Sequence, residues 1–139
     1  MPAALEFEQA TYTAEEWLDD LMARLGWHDR QRTYVALAAA LHALRDALQQ
    51  EEAIDVGNQL PVLVRGLYYD GWHPRGRRAA HTRPDFLERI HDGVHRDPAI
   101  DADAVARGVL ALLVARLPAG EIEDAKAATP HDLHNLWPS

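Results

Sequence analysis

At a fixed spacing of 69 residues this chain echoes itself: Thr13 stands against Thr82, Leu18 against Leu87, Leu41 against Leu110, Leu44 against Leu113 and Leu48 against Leu117. Glu52 and Glu121, Asp55 and Asp124, Pro61 and Pro130, and Leu67 and Leu136 keep the same offset. Trp17 with Phe86, Leu21 with Ile90, Leu25 with Val94 and Tyr68 with Trp137 keep only their character. No insertion breaks the register. Chance supplies leucine coincidences easily, but not matched threonines and prolines at one offset as well. The pattern therefore predicts a duplicated supersecondary unit.

The unit reads as helical throughout. Thr13-Ala14-Glu15-Glu16 has the form of a capping box, in which hydroxyl and carboxylate each satisfy a free backbone donor at a helix start. Trp17, Leu18, Leu21, Met22 and Leu25 follow at helical spacing, and Gly26 closes the stretch. Thr82-Arg83-Pro84-Asp85 repeats the box, with Phe86, Leu87, Ile90 and Val94 as its stripe. A longer second helix places Tyr34, Leu37, Leu41, Leu44 and Leu48 on one face, with helix-favouring alanines between them. Its counterpart, capped by Asp101, covers about 103–117 and turns Val105, Val109, Leu110, Leu113 and Leu117 inward.

Short helices follow at 51–58 and 121–128, and last ones open at Pro61 and Pro130, where proline costs no intrahelical hydrogen bond. No segment alternates like a strand. The expected fold is all-α: a helical bundle of two tandem pseudo-symmetric repeats of about four helices each. Residues 1–12 form an N-terminal extension, 13–70 the first repeat, 71–81 a linker and 82–138 the second repeat. A unit of under about 70 residues buries too little surface to stand alone, so the copies are expected to share one core.

Composition narrows the function classes. Fourteen basic against 22 acidic residues leave a net charge of −8, the opposite of the basic footprint that nucleic acid or an anionic membrane demands. No apolar run reaches the roughly 20 residues of a membrane span, and the start lacks signal-peptide regions, so a cytoplasmic location is expected. Without cysteine there is neither a disulfide framework nor a thiolate metal site. The sole serine is Ser139, which leaves no Ser-His-Asp arrangement. Neighbouring carboxylates such as Asp19-Asp20 diverge around a helix, and glycine-rich phosphate loops are missing.

Leu60-Pro61, Gly66-Leu67-Tyr68-Tyr69-Asp70-Gly71-Trp72, Phe86-Leu87, Gly120-Glu121-Ile122-Glu123-Asp124 and Asp132-Leu133-His134-Asn135-Leu136-Trp137-Pro138 together resemble a bacterial family. It is catalogued as domain of unknown function 2267, and the resemblance runs from about Thr13 to Pro138. What it implies is a small, soluble, all-helical duplicated domain. The family brings no established activity, so no catalytic residues transfer from it.

Three sets of residues could carry chemistry. His91 and His95 are four apart, so both imidazoles could meet one metal ion, with His131 and His134 completing the site if the last helix folds back. Read structurally, the first pair is a stripe edge and a helix end, and the second is a pair of surface histidines. Arg75, Arg77 and Arg78, near Arg83, His73 and His81, form a basic island suited to an anion or phosphorylated partner, or a solvated linker. Tyr68, Tyr69 and Trp72 could floor a small-ligand pocket at the junction of the repeats, or simply belong to the core. The leading expectation is a non-enzymatic interaction or adaptor module without cofactor, engaging a protein partner or its own copy. A histidine-based metal binder or metal-dependent enzyme, and a small-ligand binder, are the alternatives.

Overall fold

The computed structural model describes the backbone of residues 3–74 and 81–139, and side chains from residue 6 onward in that range. Its elements are α1 (Ala3–Leu25), α2 (Arg30–Ala47), α3 (Gln50–Gln59), α4 (Val62–Tyr69), α5 (Arg83–Gly93), α6 (Ala102–Arg116), α7 (Ala119–Ala128) and a terminal 3₁₀ helix, η1 (His131–Leu136). Among the described residues there is no strand, and no helix is long and apolar enough to cross a membrane.

The local signals act as their chemistry dictates. Asp29 caps α2 by accepting from the Arg32 amide, Thr82 caps α5 through the Asp85 amide, and Asp101 caps α6 through the Asp103 amide. Pro61 and Pro130 sit at the caps of α4 and η1. The helix opened by Pro130 is a six-residue 3₁₀ helix rather than an α-helix.

One cap is overturned. α1 runs straight through Thr13, so that threonine caps nothing and the boundary drawn at residue 13 falls inside a helix. A capping box works only where the preceding chain leaves helical geometry. Here Ala3-Ala4-Leu5-Glu6 and Glu8-Gln9-Ala10 are strong helix formers with no glycine or proline to stop them.

α2 is the hub: α1, α4, α5 and α6 all pack against it. Leu37, Leu41 and Leu44 are buried on its apolar face, and Ala36, Ala39, Ala40, Ala43 and Ala47 are buried around the rest. Alanine lets neighbouring backbones approach from several sides. α5 approaches closely, such that a Cβ on Gly93 would lie 2.6 Å from Ala39 Cβ and 3.2 Å from its Cα. Trp17, Phe86, Leu21, Ile90, Val94, Val105, Val109, Leu110, Leu112 and Leu113 complete the same core. Tyr34 departs from its expected inward place and is 48% exposed, while its neighbour Thr33 is fully buried.

Candidate functional site

Between the first half of α1, the start of α2 and the whole of α4 lies an apolar groove of about 510 Å³. Thr11, Ala14, Glu15 and Leu18 form its α1 wall, Tyr34 and Leu37 its α2 end, and Val62, Leu63, Gly66 and Leu67 its α4 wall, with Asp70 at the rim. Single exposed apolar side chains are ordinary on a protein surface. Here Val62 (59% exposed), Leu63 (49%) and Tyr34 converge on one concavity. Phe7, 73% exposed, extends the stripe, since residues 7, 11, 14 and 18 share one face of a helix. Glu15 is held by Arg30, whose other terminal nitrogen reaches Asp19.

The α4 wall is fixed from beneath by charged groups inside the core. Arg45 is 2% exposed; its Nη1 donates to the Tyr68 and Asp70 carbonyls at 2.9 Å each, and its Nε donates to Asp46 Oδ1 at 3.0 Å. Arg89 of α5 stands 3.6 Å from the same carboxylate. The His42 ring lies 2.7 Å from the Leu67 carbonyl. The last carbonyls of a helix have no intrahelical donors, and here α2 supplies them. Burial dominates at His42 and holds its pKa below the ordinary imidazole value.

Tyr68, Tyr69 and Trp72 come together, and the two tyrosines act as a clamp. The fully buried Tyr68 donates its hydroxyl to the Ala53 carbonyl at 2.7 Å, and Tyr69 donates to the Ile54 carbonyl at 3.2 Å, so both tie α4 to α3. Their rings meet edge to face at 5.0 Å, and Tyr69 lies 5.5 Å from Trp72. Burial raises the pKa of both phenols, which stay neutral donors. Gly57 is required for this clamp, because any Cβ there would collide with the Tyr69 phenol. None of the three aromatics lines the groove.

The histidines do not assemble. α5 ends at Gly93, and His95 follows in a left-handed turn (φ 60°), so the helical spacing that would aim it alongside His91 is lost. His131 and His134 stack edge to face at 5.2 Å, and the His134 Nε2 lies 2.9 Å from the Thr129 carbonyl. Among the described residues no three histidine or carboxylate side chains stand close enough to hold a metal ion. Arg75, Arg77 and Arg78 lie outside the described residues.

Around η1 a surface of α5 and α6 is closed by charge. Arg83 Nη2 donates to Asp103 at 2.8 Å, and Asp132 accepts from the Arg83 amide at 2.6 Å. Arg107 bonds both Asp103, at 2.6 Å, and the Asn135 carbonyl, at 3.0 Å. η1 is thereby stapled to α5 and α6. These two guanidinium groups hold the Asp103 carboxyl below the usual carboxylate range.

Sequence reasoning missed the groove and the network beneath it. His42, Arg45 and Asp46 sit in a helix that is apolar nearly all round, the signature of a central element, and that was the one available sign that its charges would be buried. A family model described as "Uncharacterized conserved protein (DUF2267)" matches residues 14–136. No curated protein matches the chain.

Proposed function

The chain belongs to the DUF2267 family, and on that footing we propose that it is a non-enzymatic docking module that receives an apolar segment of a protein partner in the α1–α2–α4 groove. The observation that carries this is a contrast between two surfaces of the bundle. Four groove residues, Ala14, Tyr34, Leu63 and Gly66, stand 69 positions before Arg83, Asp103, Asp132 and Asn135. The later set is the staple that closes its own surface; the earlier set is apolar or bare and leaves the groove open. Covering Val62 and Leu63, each about half exposed, contributes about 1 kcal/mol apiece.

The reading includes the duplication, for which the backbone offers support. At the same offset the Trp27 amide bonds the Met22 carbonyl as Arg96 bonds His91, Ala53 bonds Gln49 as Ile122 bonds Pro118, and Leu60 bonds Gly57 as Thr129 bonds Lys126. Gly26 and His95 both take left-handed backbone there. Packing is reciprocal as well: α1 meets α6 as α5 meets α2, while α2 meets α6 and α3 meets α7 across the centre. A pseudo-two-fold arrangement of this kind makes the difference between the two surfaces a difference of side chains on one scaffold.

The test is display selection of random helical peptides on the full chain. Enrichment of peptides with apolar anchors at helical spacing is expected, and a Val62→Gln/Leu63→Gln variant should release them. Both side chains are too exposed for the change to unfold the protein, which circular dichroism checks. Selected peptides that bind the variant unchanged would remove the groove from consideration.

A further inference from the structure

Charge is divided unevenly along the chain. Up to Asp70 there are twelve acidic and five basic residues; after it there are ten and nine. Nearly all of the net charge of −8 therefore belongs to the half that carries the open groove. Two carboxylates, Glu15 and Asp70, line that groove, and among the described residues no cationic side chain does. Two described cations on its walls have partners of their own: Arg30 pairs with Glu15 and Asp19, and Arg65 donates to the Gly57 and Leu60 carbonyls. α1, which forms one wall, carries Glu6, Glu8, Glu15, Glu16, Asp19 and Asp20 against the single cation Arg24.

We infer that the occupant of the groove is a cationic amphipathic helix supplied by another protein. This rests on the docking reading above and adds the sign of the charge and the form of the ligand. The wall from Phe7 to Leu18 spans twelve residues, about 16 Å of helix axis, so it matches about three turns of a helix laid alongside it. Two walls and a floor are already helical. An apolar stripe at i, i+3 or i+4 and i+7 fills Val62, Leu63 and Tyr34, while lysine or arginine beside the stripe faces Glu15 and Asp70. A second copy of this chain is disfavoured as the occupant, because its exposed α1 would bring six more carboxylates to an acidic rim.

The probes are two labelled synthetic peptides of about fourteen residues with the same leucine stripe, one flanked by lysine and one by glutamate. Binding to the full chain is read by fluorescence anisotropy. The lysine peptide should bind at least about tenfold tighter, with the advantage shrinking as salt rises. Leu63→Gln should weaken both peptides, whereas Glu15→Gln/Asp70→Asn should weaken the lysine peptide alone. If both peptides bind equally and Leu63→Gln weakens both, the groove docks helices but the charge inference is overturned. Should the lysine peptide ignore Leu63→Gln, its attraction bypasses the groove and the inference falls. Absence of binding by either peptide overturns this inference and the docking reading together. A dimer in sedimentation that Leu63→Gln dissolves would make the occupant a second copy, again overturning it.

Discussion

Replacing Arg45 with methionine tests whether buried charge holds the groove wall in place. The guanidinium donates to the Tyr68 and Asp70 carbonyls and to Asp46, and methionine keeps some of the volume while removing every donor. The buried Tyr68 carbonyl left without a donor costs about 1–3 kcal/mol, and the part-buried Asp70 carbonyl costs less because water reaches it. Asp46 retains Arg89 at 3.6 Å, so its charge is only partly orphaned. Together these losses fall within the roughly 3–5 kcal/mol typical of breaking a buried pair. With a urea slope of about 2 kcal/mol per molar, the unfolding midpoint should drop by about 2 M. Tryptophan fluorescence reports it, since Trp17, Trp72 and Trp137 are all packed against the core. Adding Asp46→Asn to Arg45→Met should return about 1–2 kcal/mol, the part due to a buried carboxylate that has lost one of its cations, and leave the part due to the carbonyls. A single-variant cost below about 1 kcal/mol, against the range expected for a broken buried pair, would refute the reasoning. So would a double variant no more stable than the single one.

Other perturbations have signs fixed by the same geometry. Gly93→Ala should destabilise by about 1–3 kcal/mol by forcing α5 from Ala39, whereas Gly66→Ala, with open space around its Cβ in a helix interior, should stabilise by about 0.5–1 kcal/mol; thermal melts distinguish the two. Burial lowers the His42 pKa, so the unfolded chain binds more protons between the two values. Its contribution is complete above about pH 6.5 and lost as pH falls through the lowered folded value; urea midpoints across that interval should fall less steeply in His42→Gln. Asp103, held low by Arg83 and Arg107, contributes stability present above its unfolded pKa of about 3.9 and lost as pH falls through the folded one. Asp103→Asn should therefore flatten the acid limb of an unfolding titration and leave its neutral region sloped as before.

Helix content was legible because its signals are local. Thr82 and Asp101 precede helices whose first amides they satisfy, and Gly26 ends α1 in left-handed backbone. Tyr68 and Tyr69 were visible as aromatic residues four and three positions before Trp72, although their partners, the Ala53 and Ile54 carbonyls, were not. Thr13 misled because a capping box describes four residues and says nothing of whether the preceding chain is already coiled. Of the two readings of His91 and His95, their spacing makes them ligand neighbours only while a helix continues, and α5 stops between them.

The linear chain by itself determined the all-helical class, most helix ends, the 69-residue echo and the weight of negative charge before Asp70, since each depends on residue type and short spacing. Tertiary structure alone decided that Arg45 and Asp46 lie in the core, that Tyr34 faces outward and that α1, α2 and α4 leave a groove between them. Burial and concavity arise where elements distant in sequence pack together. At that distance a residue's neighbours are set by the geometry of the whole bundle, and no local pattern encodes them.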